Sequence, residues 1–140
     1  MVRTRLAVVI ALALLGCSHA PPDATPDGAL KLFLDTMEEA SDDPRLVHKA
    51  YDLLGPAARA NLEERARRTT RKQGRPIEPW ALLAAGRFAM SFRPKAMRTS
   101  IVGDRASVEV LGADPENERA SVPCVHEAAG WRVEPGLPEP

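Results

Sequence analysis

The sequence predicts an α+β domain in which N-terminal helices pack on one face of a curved antiparallel sheet of about four strands. Three observations predict it. Apolar residues between Leu30 and Ala66 recur with the 3.6-residue spacing of helices, whereas beyond about Arg87 they alternate with polar residues, the two-residue spacing of strands. Pro and Gly stand at each change of element. All helical segments precede all strand segments, which separates the two layers instead of interleaving them as a parallel βαβ sheet would.

The first helix is announced by Thr25-Pro26-Asp27, a capping hydroxyl, a proline at the first helical position and an acid in the first turn. Leu30, Phe33, Leu34 and Met37 then fall at i, i+3, i+4 and i+7, one apolar stripe ending near Ala40. Asp43-Pro44 restarts a helix carrying Leu46, Val47, Ala50, Tyr51 and Leu54, which Gly55-Pro56 breaks. A third helix runs from Pro56 to about Gln73 on a thin stripe of Ala58, Leu62 and Ala66, and Gly74 ends it. A short fourth piece, "EPWALLAAG", starts at Glu78-Pro79 and stops at Gly86.

Strand signals follow. Phe88, Met90 and Phe92 alternate with Arg87, Ala89, Ser91 and Arg93, and after Pro94 the alternation resumes with Met97, Thr99 and Ile101. Gly103-Asp104 predicts a tight turn into "RASVEVLG", with Ala106, Val108 and Val110 inward and Arg105, Ser107 and Glu109 outward. The loop "ADPEN" leads to "ERASVPCVHE", and "AAG" turns the chain into "WRVE". No internal repeat is visible.

The N-terminus has a different logic. Arg3 and Arg5 precede an unbroken apolar run from Leu6 to Leu15, the layout of a secretory signal. Such a run is too short to span a bilayer core about 30 Å thick at about 1.5 Å per residue. The ending Leu14-Leu15-Gly16-Cys17 resembles the lipobox of bacterial lipoproteins. That resemblance implies a diacylglycerol on the Cys17 thiol and cleavage between Gly16 and Cys17. Several acyl chains would hold the protein firmly in a membrane, where a single chain binds only marginally. The expected organisation is a signal over 1–16, an acylated cysteine and proline-rich tether over 17–26, and a single domain over 27–140. Ser18, in place of the aspartate that holds similar lipoproteins at the inner membrane, favours the outer membrane, with the domain facing the periplasm.

Removing Arg3 and Arg5 with the signal leaves 17 basic against 19 acidic side chains, so no global field draws nucleic acid. Cys124 is then the one thiol left, and a disulfide within the chain is impossible.

From Pro26 onward the chain resembles small lipoproteins with a nuclear-transport-factor-two-like, or ketosteroid-isomerase-like, cone domain. The resemblance rests on the opening "GALKLFLDTMEEASDDPRLVHKAYDLLGPAARANL" and the closing "GDRASVEVLG" and "VPCVHEAAGWRVE". It implies a cone-like sheet able to enclose a pocket, and enzymes of this kind place an Asp, His or Tyr inside it. Here Asp104 falls in a turn, Glu109 on a polar face, and the inward positions are Ala106, Val108 and Val110. The expected function is therefore a membrane-anchored envelope lipoprotein with a non-catalytic binding or scaffolding domain. The alternative is a cone-fold enzyme, isomerase- or dehydratase-like, acting on a small apolar substrate.

No catalytic residue, metal ligand set or cofactor is predicted. Cys124 and His126 share a strand face but lack a third, orienting group, and His48 with Asp52 at i, i+4 fits a helix-surface contact. Trp80 and Phe88 are the expected lining of a pocket mouth. The stretch 56–75 sets seven basic side chains against Glu63 and Glu64, and Arg65, Arg68, Arg71 and Lys72 are the expected contacts to an anionic lipid or polymer surface. Partners beyond the membrane would be an envelope protein or a second copy of the chain, docked through an exposed sheet marked by an apolar patch.

Overall fold

Thr25 caps the first helix as its position dictates: its side chain accepts from the Gly28 amide at 3.2 Å, and α1 runs over Pro26–Glu39. The computed structural model describes residues 19–84 and 90–137. A 3-10 turn, Pro22–Ala24, precedes α1, and α2 (Leu46–Asp52), α3 (Pro56–Gln73) and a single turn, α4 (Ala81–Ala84), follow it. The strands β1 (Ala96–Val102), β2 (Arg105–Leu111), β3 (Arg119–Glu127) and β4 (Gly130–Val133) form one antiparallel sheet in the order β1-β2-β3-β4. The protein is thus an α+β fold with its helices first. No helix among the described residues is long and apolar enough to cross a membrane.

The alternation of β2 and β3 sets the core. Ala106, Val108 and Val110 pair with Cys124, Val122 and Ala120, and this face meets the helices. Leu30 and Phe33 of α1, Leu54, Leu62 of α3, Leu83, Val108, Val110 and Val133 fill the layer between helices and sheet. Each such side chain contributes about 1.5–3 kcal/mol by leaving water. The opposite face carries polar pairs along its middle, with Val102 and Val125 at its turn end. Ser107 and Ser121 share a hydrogen bond of 2.8 Å and Arg119 lies 3.3 Å from Glu109 across the pair β2–β3.

The two sheet edges differ. Leu54 bridges Val133 in parallel, the Gly55 amide donates to the Val133 carbonyl at 2.8 Å and the Val133 amide to the Leu53 carbonyl at 2.9 Å, so the α2–α3 junction closes β4. Among the described residues β1 has no partner strand on its outer side, and near its end Ile101 and Val102 are 55% and 79% exposed.

Long-range contacts hold the helix ends. Gly55 gives α3 no capping side chain, and the Glu134 carboxylate accepts instead from the amides of Ala57 at 3.1 Å and Ala58 at 2.8 Å. At the other end Gly74, at φ +68°, adopts the left-handed conformation that reverses the chain.

Three local expectations need correction. The strand expected around Phe88 to Arg93 is absent from residues 90–95, which are bend and coil, and 85–89 lie outside the described residues. Pro94 supplies no amide to a ladder, and pairing starts after it, with Lys95 donating to Leu111 at 2.8 Å. The second helix begins at Leu46 because the Asp43 carboxylate accepts from the Arg45 amide at 3.1 Å and holds a turn there. The stretch expected to tether the domain is docked from Pro22. Asp23 pairs with Arg132 at 2.7 Å, their side chains only 17% and 12% exposed. Gly28 leaves room for the Pro22 carbonyl and Gly130, at φ +134°, for Asp23.

Candidate functional site

A groove of about 620 Å³ opens beside α3, lined by Tyr51, Glu63, Ala66, Arg67, Thr70, Arg71, Ile77, Glu78, Pro79 and Trp80. Its walls follow from local sequence. Ala66 faces inward on the thin apolar stripe of α3, and a small side chain there leaves space. Gly74 turns the chain back, and the Thr70 hydroxyl accepts from the Ile77 amide at 2.9 Å, laying 77–80 alongside the helix. Trp80 is thereby brought against α2, with its ring edge-to-face on His48 at 4.6 Å and on Tyr51 at 6.2 Å.

The polar groups are partly committed to one another. The Tyr51 hydroxyl donates to Glu63 at 3.1 Å, and burial, with that carboxylate beside it, pushes the Tyr51 pKa above its ordinary value. Glu64 lies 2.8 Å from Arg67, 3.0 Å from Arg68 and 3.8 Å from Arg71. Hydrogen bonds from Arg67 and Arg68 hold the Glu64 carboxyl below the usual carboxylate range. What the groove offers a ligand is an aromatic wall, an apolar floor of Ala66, Ile77 and Pro79, and guanidinium and carboxylate groups on its rim. That combination binds by stacking and hydrogen bonding.

Of the residues singled out in the sequence, Trp80 and Arg71 line this groove, whereas Phe88 falls outside the described residues. Arg65, Arg68, Arg71 and Lys72 lie along the second half of α3, with Arg68, Arg71 and Lys72 exposed. Arg68 and Arg71 approach Glu64, so part of the expected basic run is internally compensated. Gly16 and Cys17 also lie outside the described residues. His48 and Asp52 are 3.5 Å apart on an exposed helix face, the surface contact their spacing implies. The sequence places Tyr51 on a helix stripe, Glu78-Pro79 at a helix start and Glu63 in a charge run, and it singles out none of these, nor Thr70 or Ile77, as a site residue. The pairing of Tyr51 with Glu63 depends on how α2 and α3 cross, which neither helix's own periodicity contains.

Cys124 and His126 do not form a reactive pair. Cys124 is 2% exposed, with its thiol 3.9 Å from the Pro26 carbonyl, and the His126 ring packs against Trp131 at 5.1 Å. Burial pushes the Cys124 thiol up to about 11. Alkylation at pH 8 should therefore run about a hundredfold slower in the folded protein than in urea, since the thiolate is the nucleophile. Time-resolved mass spectrometry of the alkylated fraction checks this, and equal rates would contradict it. The sign for stability follows from the same shift. Stabilisation by the protonated thiol is fully present below the ordinary value of 9.0 and is lost as pH rises through about 11.

No group of three or more His, Cys, Asp or Glu side chains able to hold a metal ion forms among the described residues. No family model, curated protein or solved structure matches this chain.

Proposed function

We propose that this chain is a bacterial envelope lipoprotein, acylated at Cys17 after cleavage behind Gly16, whose α+β domain is a non-catalytic binding module. In this reading the sheet curves around α1 in the cone-like manner of nuclear-transport-factor-two-like domains. The contact of α1 with all four strands supports that shape. The observation that carries the non-catalytic reading is the content of the helix–sheet layer. An isomerase or dehydratase of this shape would set an acid or histidine there, and the layer is instead filled by Leu30, Phe33, Leu54, Leu62, Val108, Val110 and Val133. Binding falls to the groove beside α3, where Trp80 presents an aromatic wall at a concave surface. The proposed setting is the periplasmic side of the outer membrane, with an envelope component as partner.

The test is mass spectrometry of the full-length protein expressed in a bacterial host and extracted from its membranes in mild detergent. The expected N-terminal peptide begins at Cys17 and carries acyl chains, and the native spectrum shows a non-covalent adduct that Trp80→Ala loses. An uncleaved chain with a free Cys17 thiol would sink the lipoprotein reading. A ligand-free spectrum, or an adduct indifferent to Trp80, would sink the groove.

A further inference from the structure

The antiparallel meander puts the β1–β2 and β3–β4 turns at one end of the sheet and the loop 112–118 at the other. The register shows this directly: Val102 pairs with Arg105, Arg105 with Val125, and Glu127 with Gly130. The His126 amide donates to the Asp104 carbonyl at 2.7 Å and ties the two turn regions together. Strands of seven residues separate the two ends by about 23 Å at 3.3 Å per residue.

Two further features meet at the turn end. Ile101 and Val102 close β1 there, and they are the exposed large hydrophobic residues of the described chain, at 55% and 79%. The N-terminal segment is seated there too. Asp23 is held by Arg132 and fits against Gly130, beside the β3–β4 turn, while the Pro22 carbonyl fits over Gly28. Pro26 lies over Cys124, and the Thr99 hydroxyl of β1 meets the Asp27 carboxylate at 3.4 Å. Four residues, 18–21, separate Cys17 from the docked Pro22. Their extended reach is at most about 18 Å between the two Cα atoms.

We infer that the β1–β2 turn end of the sheet is a membrane-contact surface, with Ile101 and Val102 entering the headgroup–acyl boundary beside the lipid on Cys17. This rests on the lipoprotein reading above. A free tether of nine residues would leave the domain's orientation open, whereas a tether docked from Pro22 brings this end of the sheet nearest the bilayer. The apolar pair at that end then meets lipid instead of water, as interfacial apolar side chains do. At this end Arg105 offsets Asp104, Arg132 pairs with Asp23 and Arg59 with Glu127, so the rim carries no net negative charge for an anionic leaflet to repel.

The experiment uses the acylated full-length product reconstituted into phosphatidylcholine vesicles containing lipids with a nitroxide at a shallow acyl position. An environment-sensitive fluorophore is attached at Val102→Cys and, in a second protein, at Ala113→Cys in the loop at the far end. Both positions are exposed, and the buried Cys124 thiol leaves each label at a single site. The label at 102 should be quenched at least threefold more strongly than the label at 113. Equal quenching, or stronger quenching at 113, overturns the inference. A label at 102 that is shielded from lipid nitroxides and exposed only on dilution points to a second copy paired along the open β1 edge, and also overturns it. The mass of the N-terminal peptide, taken on the same preparation, separates the two levels. An unacylated Cys17 defeats the lipoprotein reading and this inference together, whereas an acylated Cys17 without contact at 102 defeats this inference alone.

Discussion

Phe33→Ala should lower the unfolding free energy by about 3–5 kcal/mol, the cost of emptying a fully buried aromatic site. Phe33 is 2% exposed and lies on the stripe with which α1 meets the sheet, so its removal takes packing from both layers at once. Domains of this size are stable by about 5–15 kcal/mol, so the loss is a large part of the total. A urea titration followed by far-ultraviolet circular dichroism should show the midpoint falling with an unchanged slope. Phe33→Leu, which keeps most of the volume, should lose substantially less. A Phe33→Ala midpoint within error of the parent would mean that α1 does not pack on the sheet as described.

Glu134→Ala should cost about 1–2 kcal/mol, because it removes an N-terminal cap that arrives from the other end of the chain. Glu134 follows β4, and its carboxylate accepts from the first-turn amides of Ala57 and Ala58, where α3 also favours negative charge. Gly55→Ala should reproduce the loss by another route. A Cβ at Gly55 would overlap the Glu134 side chain and push it off the helix end. The two substitutions therefore share one interaction, and the double variant should be less destabilised than the sum of the singles. Simple additivity, measured by the same titration, would show that Gly55→Ala does not act through the Glu134 cap.

Much of the fold was legible along the chain because the relevant signals are local. Pro56 at the first helical position and Gly74 just past the last bracket α3 at its observed bounds, and Thr25 marks the start of α1. Alternation in "RASVEVL" identified the face of β2 that is buried. The same alternation misled at Met90 and Phe92, where apolar side chains pack onto the core from bend and coil. Period-two spacing reports burial on one side, and a strand also needs a neighbour to pair with.

The candidate site was legible at Trp80 and, as a surface contact, at Arg71. A lone tryptophan among few aromatics draws notice, but the neighbours that make it a wall are supplied by the crossing of α2 with α3 and by the reversal at Gly74. The proposed lipid anchor stands at the opposite extreme, since a lipobox would be an address read from an extended chain and would ask nothing of tertiary structure.

By itself the sequence determined the α+β class, the order of helices before strands and the inward face of β2, because each is written in periods a few residues long, and the proposal at Cys17 rests on a motif of the same length. Tertiary structure alone decided the cap that Glu134 places on α3, the docking of Asp23 on Arg132 and the groove beneath Trp80. The first two join residues 76 and 109 positions apart, and the groove brings Tyr51 to Glu63 and Trp80 across the ends of two helices. Local propensity has no term for such meetings; they exist only once burial of the apolar core has set the helices and the sheet against each other.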